Sequence, residues 1–282
     1  MFKNSNLLNR YYIQINQLKS QNMKNLILTL FCVLIFNLAI AQEDEAYLIQ
    51  FHYMEVTGDT EEFIKTNKEF YKKLAQKGVA EEKWAGWGMM QSWSEPNKFL
   101  FFHHFKSPQQ YAAFDFSIFN NDIAQELGLE TPNWETFEAK GIAPLEIWQI
   151  VDNVLSEQQS SYFIMNEFKF TDRQKFVDLN RLWGELVMKP QQKENIGANW
   201  AFGIKLTNNH WEDGQMVNYN GISFDGFPSI EALLKSATYI DNSPNQNKYF
   251  ETYMKEIEER QLSSASDARK QSIWKFIDDS WN

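Results

Sequence analysis

One stretch of this chain is written twice. Phe63-Ile64-Lys65-Thr66-Asn67-Lys68-Glu69-Phe70 returns as Phe176-Val177-Asp178-Leu179-Asn180-Arg181-Leu182-Trp183, with aromatic, β-branched, Asn, basic and aromatic positions in register. Trp84-Ala85-Gly86 returns as Trp200-Ala201-Phe202. Ile147-Trp148-Gln149-Ile150-Val151-Asp152-Asn153 returns as Ile273-Trp274-Lys275-Phe276-Ile277-Asp278-Asp279. The offset between the copies only grows along the chain, so order is kept and the second copy carries insertions. Three ordered matches, two of them Trp on Trp, point to a tandem duplication. Whatever one copy builds, the chain must build again.

Each copy shows the same succession of elements. Tyr47–Val56 and Tyr162–Phe170 alternate apolar and polar residues as strands do. Asp59 three residues before Glu62, and Thr171 three before Gln174, are helix-start pairs in which a side-chain oxygen satisfies an orphan backbone N–H. Phe63, Phe70 and Leu74 then form one buried stripe, as do Phe176, Trp183 and Val187. A hairpin follows: Trp84–Trp93 with Phe99–Phe105, and Trp200–Leu206 with Val217–Phe224 across a longer loop. Pro108 and Pro228 stand where helices can begin, and helical material is expected at about 117–140 and 245–262. Glu146–Val151 and Ser272–Ile277 close the copies.

The fold class is therefore α+β, in two tandem β-α-β-β-α-β repeats over 42–154 and 162–282, joined by the polar linker 155–161. A sheet with helices on one face only leaves an apolar face that water cannot cover. Two copies can press those faces together as an intrachain α+β barrel. In element order, aromatic-rich strands and an Ile-Trp closing strand, the chain resembles the dimeric α+β barrel superfamily, ferredoxin-like in each unit. That superfamily includes antibiotic-biosynthesis-type monooxygenases, muconolactone isomerase types and NIPSNAP-like proteins. The resemblance covers nearly all of 45–279. It implies either a cofactor-independent monooxygenase- or isomerase-like enzyme or a binding barrel. Some relatives hold haem through a helix histidine; no histidine here falls in an expected helix, so no cofactor is expected.

The first 41 residues are read apart from the fold. Lys24 precedes the uncharged run Leu26–Phe36, which ends in Leu38-Ala39-Ile40-Ala41. Base, short apolar run and small-x-small ending make a signal peptide over about 23–41 with cleavage after Ala41. The run is shorter than the ~20 residues of a membrane span. The Asn/Gln-rich residues 1–22 read as an upstream extension before a start at Met23. A secreted or periplasmic location follows, with a mature chain that does not span the membrane. The net charge of −10 becomes −14 without this segment, whose charged residues are Lys3, Arg10, Lys19 and Lys24. A phosphate backbone selects basic surface, so no nucleic-acid partner is expected. The single cysteine, Cys32, leaves with the same segment.

Four histidines, His52, His103, His104 and His210, carry most of the candidate chemistry. His103 and His104 are neighbours on a strand and point to opposite faces. One of them shares the barrel interior with His52 on this reading, and aligning Glu167 with His52 adds a carboxylate to make a His/Glu cluster. The functional reading is acid/base work in a pocket; the bland one is hydrogen-bonded sheet histidines. No metal is expected, since no ligand spacing such as His-x-Glu-x-His supports one. Asn67 and Asn180 hold the same place in both copies, either facing a ligand or tying helix to strand. Trp84, Trp87 and Trp200 either wall a barrel cavity or fill core. The expected ligand is a small apolar or aromatic molecule in that cavity. The alternative is a non-catalytic envelope module with a solid barrel. A monomer is expected, because duplication supplies the partner sheet.

Overall fold

The computed structural model describes residues 47–282, apart from 144, 195–196, 198, 208–209, 213–214, 218, 243, 264–267 and 281–282. The expected leader, 23–41, lies outside the described residues. The first half runs β1 (Leu48–Gly58), a long helix α1, then β2 (Gly86–Ser92) and β3 (Lys98–Phe105). Helix α1 is Thr60–Thr66 and Lys72–Ala80 joined through a π-helical stretch, Asn67–Tyr71. Then come α2 (Pro108–Ala112), a 3-10 turn (Phe116–Phe119), α3 (Asn121–Glu126), the short β4 (Phe137–Gly141) and β5 (Glu146–Val154).

The second half repeats the plan. It runs β6 (Tyr162–Lys169), helix α4, β7 (Trp200–Lys205), the small hairpin β8 (His210–Glu212) and β9 (Gln215–Val217), and β10 (Gly221–Phe227). Helices α5 (Ile230–Asn242) and α6 (Pro244–Glu259) and strand β11 (Ala268–Asp279) complete it. Helix α4 has the same composite build as α1: Arg173–Trp183, a π-helical stretch Gly184–Met188, then Lys189–Lys193. The Asp59 side chain accepts from Glu62 N at 3.0 Å and caps α1 as expected. The cap of α4 is Asp172, accepting from Lys175 N, and not Thr171. The helical material expected at 117–140 is broken into short turns and ends in β4, a strand the sequence pattern did not suggest.

Eight strands close into an antiparallel barrel in the order β1-β3-β2-β11-β6-β10-β7-β5 and back to β1, with β4 adding to the far end of β1. Each closing strand pairs with the first strand of its own half and the second strand of the other: β5 with β1 and β7, β11 with β6 and β2. Both seams break register at matching places, between Ile150 and Asp152 on β5 and between Phe276 and Asp278 on β11. Such bulges bend and twist a strand, which a closing barrel needs. At each bulge the acid reaches the helix of the opposite half, Asp278 to Lys72 at 2.9 Å and Asp152 to Arg181 at 3.4 Å.

Strand alternation sorts the core into layers. Ile49, Phe51, Tyr53, Leu100, Phe102, Trp148, Met165, Phe224 and Trp274 fill the barrel. Leu48, Val56, Phe63, Trp84, Trp87, Met89, Phe101 and Phe105 pack between sheet and helices in the first half, with Phe176, Trp200, Phe202 and Ile204 doing so in the second. Trp84 packs against Gly78 of α1, where a Cβ would come within 2.1 Å of the ring, and Trp200 packs against Gly184 of α4, where it would come within 2.7 Å. Only glycine admits either indole. Among the described residues no helix is long and apolar enough to cross a membrane.

Candidate functional site

A cavity of about 520 Å³ opens in the first half, outside the barrel, between its sheet and the helices that cover it. Strands supply His52, Met54, Trp87, Phe101 and His103; α1 supplies Phe63, Asn67 and Tyr71. The cover is completed by Phe116 and Phe119 of the 3-10 turn, Trp134 of the following loop, and Phe137, Glu138 and Ala139 of β4. Phe116 and Trp134 are 46% and 41% exposed, so two aromatic rings stand partly in solvent at the edge of an apolar chamber.

The chemistry of the chamber centres on His103. It is 4% exposed, and neither Nδ1 nor Nε2 has a hydrogen-bond partner. Aromatic rings surround it: Phe114 at 5.2 Å, Phe116 at 5.9 Å, Trp84 at 6.0 Å and Phe119 at 6.1 Å between centroids. Burial, and then the nearby His52 and His104, push its pKa down to about 3. It is therefore a neutral imidazole at ordinary pH, with one N–H and one lone pair unspent. A buried polar group of this kind calls for a water or a ligand atom.

His52 lies on the same sheet face, since Gln50 and His103 are ladder partners and His52 is two residues on from Gln50. It is half-buried, and burial lowers its pKa. Tyr71 adds a phenol whose pKa burial raises. Asn67 donates its amide Nδ2 to Phe63 O at 2.8 Å, one turn back on its own helix, and Asn180 repeats this to Phe176 O at 2.9 Å. Neither amide ties helix to strand, but Asn67 lines the chamber.

Other expected site residues fall elsewhere. His104 faces the barrel interior, where its Nδ1 lies 2.5 Å from the Tyr47 hydroxyl. Trp84 and Trp87 face helices and not the barrel, whereas Trp200 packs on a helix and also borders a cavity at one barrel mouth. Trp87 lines the new chamber, Trp84 backs His103, and Trp200 belongs to the other half's core. Glu167 lines a separate polar cavity of about 320 Å³ at one barrel end, with Tyr53, Lys270 and Ser272. The sheet thus separates Glu167 from His52 and His103, and the His/Glu cluster is not formed.

The ladders explain this correction. Leu48 pairs with Phe105 at the start of one ladder and Tyr162 with Phe227 at the start of the other. Counting from those ends, His52 matches Asn166 and not Glu167, and His103 matches Asp225 and not the 221–223 region. A slip of one residue turns a side chain to the other face. Residue-by-residue reading also missed the aromatic cover. The run Phe114-Asp115-Phe116-Ser117-Ile118-Phe119 was its signal, because dense aromatics in a segment with no helical stripe need something to pack against.

No family model matches the chain, and no curated protein matches it. Solved structures do. A chain from Lactobacillus acidophilus, described as a candidate monooxygenase, is similar at a TM-score of 0.50 and 10% identity, over 83% of this chain and 96% of that one. Another so described, from Fusobacterium nucleatum, gives a TM-score of 0.50 and 10% identity, over 83% of this chain and 94% of that one. With the closed antiparallel barrel, these show that the chain has the fold of the dimeric α+β barrel superfamily.

Proposed function

We propose that the protein binds one small apolar or aromatic molecule in the chamber between the first half's sheet and its helices, with a polar atom of that molecule on His103. The single observation that carries this is His103 itself, a buried neutral imidazole with two unpartnered nitrogens in the wall of a 520 Å³ apolar cavity. Ligand sites commonly have that composition, with apolar walls and a few polar groups that fix orientation. The chamber takes the place of the barrel interior, whose centre is packed with Phe51, Tyr53, Trp148, Phe224 and Trp274.

If the site is catalytic, it works as a cofactor-independent monooxygenase- or isomerase-like centre. The two candidate monooxygenases of the same fold support that reading. The roles then differ from those a pair of equal bases would have. With a pKa near 3, His103 is a feeble proton acceptor and serves to orient the ligand. His52, less buried, is the proton acceptor. The packed barrel centre favours the rival reading of a non-catalytic envelope module, which would leave the chamber without a specific ligand.

The deciding experiment is mass spectrometry of small molecules that co-purify with the chain and with His103→Leu. The expected result is one compound retained by the first and reduced at least tenfold in the second. Equal retention by both would remove His103 from the account. Export on segment 23–41 is part of the proposal, supported by the charge and apolar pattern; N-terminal sequencing of the mature protein should begin at Gln42. So is a monomeric state, which light scattering would check.

A further inference from the structure

At the end of the barrel opposite Glu167 lies a separate cavity of about 310 Å³, walled by Ile49, Phe51, Leu100, Phe102, Phe163 and Phe224. Both halves contribute, and Ala201 of β7 and Phe276 of β11 sit at its side. Of its polar side chains, Trp200 keeps a buried indole Nε1 without a partner, and His104 and Asn199 are engaged with protein. His104 meets the Tyr47 hydroxyl. Asn199 Oδ1 accepts from Ser156 N at 2.8 Å, and its Nδ2 donates to Ser160 Oγ at 2.9 Å and Gln158 O at 3.3 Å. Leu155, in the same lining, is 72% exposed. The contrast with the helix-side chamber is plain: there both imidazole nitrogens wait for a partner, and of these groups here only the indole N–H does.

The geometry points to a second binding site at this barrel mouth, for an uncharged hydrocarbon-like molecule of about the size of two fused rings. Water in this mouth would find few hydrogen-bond partners, and an apolar guest gains by displacing such poorly held water. The volume is about twice that of the ~150 Å³ cavity known to admit benzene. The cavity also carries no charge. Burial pushes His104 down to about 3 and Tyr47 up to about 12, so both stay neutral across the ordinary pH range. A charged guest would lose its hydration with at most one indole N–H in exchange. The two sites share one strand: His103 and His104 are consecutive on β3, and each faces a different cavity.

This site does not depend on the helix-side chamber being functional, and one experiment separates the two. The uncharged fluorophore N-phenyl-1-naphthylamine is titrated into the full chain, Ala201→Phe and Ala139→Phe. The first variant puts a ring into the barrel mouth and the second puts one into the helix-side chamber. A crystal of the unaltered chain is pressurised with xenon alongside. Xenon density between Phe51, Phe102 and Ala201, with a weakening of probe binding of at least tenfold at one site in Ala201→Phe, is the expected result. Loss of all probe binding in Ala139→Phe would overturn the inference and leave the helix-side reading standing. Loss of all binding in Ala201→Phe alone would do the reverse. If Ala201→Phe does not fold, absence of xenon density at the mouth is sufficient to overturn it.

Discussion

On the helix-covered face of the second half, Asn166 and Asp225 occupy the ladder positions that His52 and His103 occupy in the first. There the polar groups meet each other. Asn166 Nδ2 donates to Asp225 Oδ2 at 2.9 Å and to Ser223 Oγ at 3.2 Å, and Asn166 Oδ1 accepts from Gln271 Nε2 at 2.9 Å. Helix α5 packs on β6 and β10 and brings the buried Leu233 and Ser236. In the first half the corresponding connection is chopped into α2, a 3-10 turn and α3. The imidazole of His103 is left without a partner, in the wall of an open chamber. Both connections begin alike, with Ser107 and Ser229 each capping the helix that follows. The scaffold therefore does not decide where a site forms. Its cover does: a continuous helix over the hydrogen-bonded Asn166 makes core, and a broken cover over an unpartnered His103 makes a pocket.

The largest test of this contrast uses acid. An unfolded histidine takes a proton near pH 6.5, whereas His103 resists it until about pH 3. Between those values the unfolded state binds more protons than the folded one, so stability must fall as pH falls. Each unit costs ~1.4 kcal/mol per such histidine, or about 3 kcal/mol between pH 6.5 and pH 4. His104 adds a like amount from inside the barrel. Urea unfolding of His103→Leu at pH 7 and pH 4 should show an acid loss smaller by about 3 kcal/mol than that of the unaltered chain. At pH 7 the variant should be as stable or slightly more so, because no hydrogen bond is given up. An unchanged pH dependence would mean that His103 is not held neutral in the fold.

The matching change in the second half should have the opposite sign at neutral pH. Asn166→Ala removes a donor to Asp225 and an acceptor from Gln271 in a buried network. The expected loss is about 2 to 3 kcal/mol, read from the urea midpoint at unchanged slope. A loss under about 0.5 kcal/mol would put the two faces on an equal footing and end the argument from satisfaction.

Much of the frame was legible because it is repeated. Ile147-Trp148 and Ile273-Trp274 sit in closing strands whose bulges fall at matching residues, and Asp59 caps its helix as spacing alone suggested. What stayed hidden has a common cause. Which face His52 joins depends on ladder register, and two copies of unequal length align equally well by eye at offsets differing by one. The partners of Asn166 lie 57, 59 and 105 residues away along the chain, so no local pattern announces them. The three tryptophans were legible as buried but not as helix-facing, because that depends on Gly78 and Gly184 leaving room for Trp84 and Trp200.

The smallest test concerns the seams, where the halves differ in degree only. Lys72 and Asp278 are 18% and 19% exposed at 2.9 Å, whereas Arg181 and Asp152 are 53% and 45% exposed at 3.4 Å. Their role is shared: in both, the bulge acid of one half reaches the helix of the other, and the same acid accepts from the next backbone N–H. Solvent screening and the longer contact separate them, and exposed pairs are worth about 0 to 1 kcal/mol. Double-mutant cycles should therefore give about 1 kcal/mol for Lys72 with Asp278 and a few tenths for Arg181 with Asp152. Raised salt should erase the second before the first, since the more exposed pair is the more screened. Equal coupling energies would mean that the bulge itself, common to both seams, holds the halves together, and that the ion pairs only decorate it.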